Sequence, residues 1–143
     1  MNTIFEKLTH QMTESVESAL SLALHNKNME VEPIHFFWAL LTNSNSVLNQ
    51  AFNKMNVDKT AIELDVRSVA DKLPKSSSVS KENIRISRPL VQALERGVGE
   101  MTKTGDSFLA VDTFILANAQ EEPFKGILSK YVDMMEFAKT FEA

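Results

Sequence analysis

Met12, Val16, Ala19, Leu20 and Ala23 recur at three- and four-residue steps, the spacing of an amphipathic helix. Thr9 stands where an N-cap belongs, because its hydroxyl can accept a free amide hydrogen of the first turn. Asn26 and Asn28 end the helix. Pro33 suits the first turn of a second helix, where its missing N–H is not needed. Phe36, Phe37, Leu40 and Leu41 make that helix apolar on most sides, which predicts a buried element. A polar stretch, 42–46, leads to Ser46 as cap of a short helix from Val47 to Met55. Asp58 caps a fourth, with Ile62, Val66, Val69 and Leu73 at helical spacing.

A Ser-rich, Pro-led linker over 74–83 reads as a flexible connection. Ile84 and Ile86 alternate with Arg85 and Ser87, predicting a short extended segment that tucks two side chains onto the body. The pattern then begins again. Ser87 caps, Pro89 sits in the first turn, and Leu90, Val91, Leu94 and Val98 form the stripe. Gly105-Asp106 is a turn signal. Phe114, Ile115, Leu116 and Ala117 mark a second buried helix, Pro123 opens a short one through Ile127 and Leu128, and Asp133 caps a last one with Met134, Phe137 and Phe141.

A shift of 78 residues lays one half on the other. Thr9 falls on Ser87, Asn28 on Asp106, Val31 on Leu109, Phe36 on Phe114, Phe37 on Ile115 and Ala39 on Ala117. After a three-residue deletion the shift becomes 75, and Phe52 falls on Ile127 and Val57-Asp58 on Val132-Asp133. The expected fold is therefore all-α: two pseudo-twofold-related four-helix repeats packed into one domain over 1–143. Repeat one covers about 1–73, the linker 74–86 and repeat two 87–143. A boundary between such halves is a natural place for a groove.

Composition narrows the function. A chain of 143 residues with 43% hydrophobic and 24% charged residues holds a core without metal or disulfide. It has no cysteine, which removes thiolate nucleophiles and the common zinc clusters and fits a reducing cytoplasm. The net charge is −4 and no basic cluster exceeds two adjacent residues, so no nucleic-acid footprint is predicted. The first six residues lack a signal-peptide pattern, and the longest apolar run, Phe36 to Leu41, is too short to cross a bilayer. Gly97-x-Gly99 lacks a third glycine and any GK[ST], so the pair reads as close helix packing rather than a phosphate cradle. His10, His25 and His35 show no HxxxH or HExxH spacing, and His35 reads as a hydrogen-bonded structural residue. No catalytic residue and no metal site are predicted.

Leu8-Thr9, Ala23-Leu24, the segment Glu32-Pro33-Ile34-His35-Phe36-Phe37-Trp38-Ala39-Leu40-Leu41, Gly105-Asp106-Ser107-Phe108 and the repeat resemble the Clp N-terminal domain family, in particular its ClpB-type disaggregase branch. The resemblance covers essentially the whole chain. It implies a domain that engages misfolded or aggregated polypeptide and delivers it to an AAA+ ring. In such proteins the ring is a homohexamer, works with the DnaK chaperone system, and holds ATP and Mg in modules outside this chain. The domain alone is expected to need no cofactor, to stay monomeric and to touch neither nucleic acid nor membrane. Thr9, Asp106 and Asp112 match family positions linked to substrate handling. Each also has a purely structural role available, as cap, turn residue and helix-dipole partner. Leu90, Val91, Leu94, Phe108 and Val111 are candidate groove residues, two or three of which are expected to be exposed. Ile34 and Asp112 stand where the family usually has Glu, and Arg96 and Thr113 where related domains often carry apolar residues. The alternative reading is an adaptor-docking domain of the ClpA/ClpC type, which recognises a folded partner.

Overall fold

The structure, a computed structural model, describes residues 3–141; Met1, Asn2, Glu142 and Ala143, the outer ends of the expected domain, lie outside the described residues. A 3-10 helix over Thr3–Lys7 precedes α1 (His10–His25). There follow β1 (Glu30–Val31), α2 (Pro33–Thr42), α3 (Val47–Met55) and α4 (Lys59–Asp71). After β2 (Arg85–Ile86), which ends the linker, the second repeat runs through α5 (Arg88–Lys103), α6 (Val111–Asn118), α7 (Phe124–Tyr131) and α8 (Met134–Lys139). Helices α1 and α5 each have 16 residues and start 78 apart, as do α2 and α6; the shift falls to 75 by α4 and α8.

Side chains set the helix starts. Thr9, Ser46, Asp58 and Ser87 accept the amide three residues on, at 3.1–3.2 Å. Asp133 accepts from Met135 and Glu136, both at 3.0 Å. Helix α2 begins on Pro33 and buries Ile34, Phe36, Phe37, Leu40 and Leu41. Its loose carbonyls are taken up by the buried Asn49 amide, which donates to Leu40, Leu41 and Asn43 at 2.8–3.2 Å.

The halves interlock by a symmetric exchange of backbone. The segment before each repeat's first helix pairs with the segment before the other repeat's second helix. Leu8 bridges Leu109 in parallel, and Ile86 pairs with Val31 in parallel. The shift of 78 turns one pair into the other with the partners swapped. Thr9 donates its N–H to Leu109 O at 3.0 Å, and Ser87 donates to Val31 O at the same distance. Phe36 and Phe114, which the shift also equates, meet with ring centroids 4.4 Å apart. Phe124 joins them, 6.0 Å from Phe114 and 5.3 Å from Phe37. One core thus crosses both repeats. Asp65 adds a surface tie between α4 and α7, accepting from Lys130 Nζ at 2.7 Å and Tyr131 OH at 2.5 Å. Those bonds lower the Asp65 pKa, and the Asp65 carboxylate pushes Tyr131 up to about 12.

Two expectations need correction. Segment 74–83 is not the free linker its composition suggests, because Ser76 donates to Lys27 O at 2.9 Å and Asn83 clasps Ser78 O and Ser80 N. Serine and asparagine side chains supply local bonds that composition alone does not reveal. The two glycines of α5 also differ. A Cβ on Gly97 would stand 2.8 Å from Leu109 Cδ2, whereas one on Gly99 meets nothing within 4 Å. Gly99→Ala is expected to stabilise by about 0.5–1 kcal/mol, through helix propensity. Gly97→Ala is expected to destabilise by about 1–3 kcal/mol, since Leu109 is fully buried and has to move. Urea midpoints of the two variants check the opposite signs.

Candidate functional site

Two of the concave surfaces among the described residues border the exchanged backbone. One, of about 550 Å³, is lined by Thr3, Ile4 and Phe5 of the 3-10 helix, Arg85 and Ile86 of β2, and Val91 and Glu95 of α5. Ile4, Phe5, Ile86 and Val91 make its lining apolar, with Arg85 and Glu95 supplying opposite charges. The other, of about 450 Å³, is lined by Asn28, Met29, Glu30, Glu32, Leu73, Pro74, Asn83 and Arg85. Arg85 borders both.

Thr9 caps α1 and lies against the α5–α6 connection. Its hydroxyl is occupied as the α1 cap, accepting from Met12 N at 3.2 Å, and its amide holds Leu109 O. Asp106 is exposed in the turn after α5 and accepts the Thr104 hydroxyl at 3.0 Å. Phe108 follows with 56% of its surface open to solvent, unusual for a ring of its size. Asp112 is half-buried in the first turn of α6, where its Oδ1 accepts Thr113 N at 2.8 Å. The N-cap of α6 is Ala110, which has no side-chain acceptor, so Asp112 serves one orphan amide of that helix.

The candidate groove residues divide. Val91 lines the larger cavity and Phe108 projects. Leu90 and Leu94 are 0% exposed and Val111 is 5% exposed, so these three belong to the core and not to a groove wall. Helical spacing marks an apolar stripe without saying which flank of it faces a neighbour; here Val91 lies at the edge and Leu90 and Leu94 at the centre. Arg96 donates Nε to the buried Asn118 at 2.8 Å, which ties its polar head to α6. Thr113 is half-buried.

Sequence reasoning missed Ile4, Phe5 and Ile86 as cavity walls. Ile4-Phe5 is an apolar pair just ahead of the first cap, and that pair was the available signal. It also missed the polar knot around Asn28. Asn28 Oδ1 meets His35 Nε2 at 2.9 Å and Asn26 Nδ2 at 2.8 Å, while its own amide reaches toward Ala70 O and Pro74 O. Glu32 N donates to His35 Nδ1 at 2.9 Å, so Nε2 carries the proton and donates to Asn28. Burial lowers the His35 pKa from 6.5 to about 4, which keeps the ring neutral. The shifts of His35, Asp65 and Tyr131 thus come from packing and structural hydrogen bonds, away from the larger cavity. No group of three or more His, Asp or Glu able to hold a metal occurs among the described residues, and no helix among them is long and apolar enough to cross a membrane.

Known proteins share this fold. The family model of the Clp repeat (R) N-terminal domain matches residues 7–131. The chaperone protein ClpB of Helicobacter hepaticus is 58% identical over 137 residues, covering 96% of this chain. The match takes in only 16% of that relative's length, so the chain corresponds to a small part of it. Among solved structures, the Hsp104 N-terminal domain from Candida albicans aligns with a TM-score of 0.81 at 21% identity, covering 94% of this chain and 88% of that one. A ClpV N-domain in complex with a VipB peptide aligns with a TM-score of 0.68 at 19% identity, covering 99% and 81%. Two interlocked four-helix repeats, matched along nearly their whole length, place this chain in the Clp repeat (R) N-terminal domain family.

Proposed function

We propose that the chain is the polypeptide-recognition domain of a ClpB-type disaggregase, which captures unfolded or aggregated protein and hands it to an AAA+ ring. The observation that carries the reading is the apolar cavity of Ile4, Phe5, Ile86 and Val91 at the repeat boundary, flanked by Arg85 and Glu95. A concave apolar wall with a few charges at its rim suits short apolar segments of many sequences. The peptide-bound ClpV N-domain supports the same use of this fold. In this reading the ring is a homohexamer that binds ATP and Mg and cooperates with the DnaK system in the cytoplasm. The N-domain itself is monomeric, takes no cofactor and performs no catalysis. Weak binding serves the purpose, because a client has to be released to the ring.

Fluorescence anisotropy with a labelled, reduced and alkylated unfolded protein tests this. The domain should bind saturably, and Val91→Glu should weaken binding about tenfold, the scale of one lost apolar contact replaced by a charge. No binding at high domain concentration and low salt would sink the proposal. A single folded protein captured in stoichiometric amount from an extract, with no unfolded protein bound, would favour adaptor docking instead.

A further inference from the structure

The turns that end α1 and α5 are the same piece of backbone used twice. Lys27 and Gly105 both take left-handed conformations, with φ of 62° and 80°. Asn28 N donates to Ala23 O and Asp106 N to Met101 O, at 2.9 and 3.1 Å. What covers the turns differs. In the first repeat the chain's own segment 73–76 returns across the turn: Lys75 bridges Asn28 in antiparallel fashion, and Ser76 N donates to Lys27 O at 2.9 Å. Leu73 and Pro74 close the cavity beside it. In the second repeat Gly105 O accepts no hydrogen bond among the described residues, and positions 102–108 are all exposed. The neighbouring residues differ as well. Asn28, tied into the His35 knot, becomes Asp106, whose carboxylate accepts from the Thr104 hydroxyl and from no other group among the described residues. Glu30 becomes Phe108, and Arg85 becomes Lys7.

We propose that the turn 105–108 is an open docking edge for an extended polypeptide segment, which binds as segment 73–76 binds the first turn. The statement rests on the polypeptide-recognition reading and specifies one mode of it. The occupant runs antiparallel to the turn and donates one backbone N–H to Gly105 O. A basic residue just before that donor faces Asp106, as Lys75 faces Asn28. An apolar residue two or three places before the donor, in the positions of Leu73 and Pro74, packs on Phe108. Backbone pairing supplies sequence-tolerant attraction, and the apolar and basic positions supply preference.

The probe is the free peptide with the sequence of residues 72–78, added to the ¹⁵N-labelled domain. Amide shifts should centre on Gly105, Asp106, Ser107, Phe108 and Thr9, and should saturate. Methylating the peptide nitrogen that corresponds to Ser76, or using D106R or F108S, should weaken binding at least fivefold. Both variants change exposed side chains, and their unshifted core resonances confirm folding. Absence of saturable shifts at 105–108, shifts centred on the Ile4–Val91 cavity, or indifference to N-methylation each overturns the inference. The unfolded-protein titration run in parallel separates the two claims. Unfolded protein bound equally by wild type and by D106R and F108S removes this docking mode and leaves polypeptide recognition standing. No binding by wild type removes both.

Discussion

Phe114→Ala is expected to cost about 3–5 kcal/mol, with Phe36→Ala costing a similar amount. Each ring is fully buried, and the two sit on the line where the repeats exchange places, 4.4 Å apart at their centroids. Removing Phe114 also strips Phe124 of its edge contact at 6.0 Å, so the cavity spans α2, α6 and α7. A loss of this size is a large share of the stability of a domain of this length, commonly about 5–15 kcal/mol. The double variant should cost less than the sum of the singles by about 0.5–1.5 kcal/mol, the coupling usual for a close aromatic pair. Urea unfolding of the four proteins measures the cycle. Additive losses under 1 kcal/mol each would mean that the two repeats hold together by other means.

Acid should unfold the domain through His35. The ring is neutral in the fold, with a pKa of about 4 against 6.5 when exposed. Between those values the unfolded chain binds the extra proton, so stability is present above pH 6.5 and is lost as pH falls toward 4. At about 1.4 kcal/mol per unit the loss approaches about 3 kcal/mol. Protonation also breaks the geometry, because Nδ1 accepts Glu32 N and cannot do so as imidazolium. His35→Gln should start from lower stability at pH 7.5 but show a flatter slope between pH 6.5 and 4.5. Urea midpoints across that range give the slopes; equal slopes would place the acid sensitivity elsewhere.

The helical plan was readable because caps and periodicity are local. Thr9, Ser46, Asp58, Ser87 and Asp133 each act within four residues of their position, and Pro33 and Pro89 open helices for reasons internal to the peptide unit. The repeat was readable because Phe36 and Phe114 play one role twice. What the chain did not disclose is how the copies face each other. The Leu8–Leu109 and Val31–Ile86 pairings join residues about 100 and 55 positions apart, and nothing in a single sequence signals such short parallel contacts. The groove suffered for the same reason. Leu90, Val91 and Leu94 look alike as a stripe, and only the packing of α6 and of the 3-10 helix decides that Val91 alone of the three lines the cavity. Asn118 and Asn49 carry no local signal of burial, yet they are buried amides that bind carbonyls of the helices around them.

Site-specific photo-cross-linking asks most directly where polypeptide sits. A photoreactive residue at Glu95, on the rim of the boundary cavity, is compared with one at Ser44, exposed on the loop between α2 and α3 in the first repeat. Irradiated with reduced and alkylated unfolded protein, the Glu95 position should form adducts that Val91→Glu suppresses, while the Ser44 position forms few. Equal adducts at both positions, or adducts at Ser44 alone, would contradict recognition at the repeat boundary.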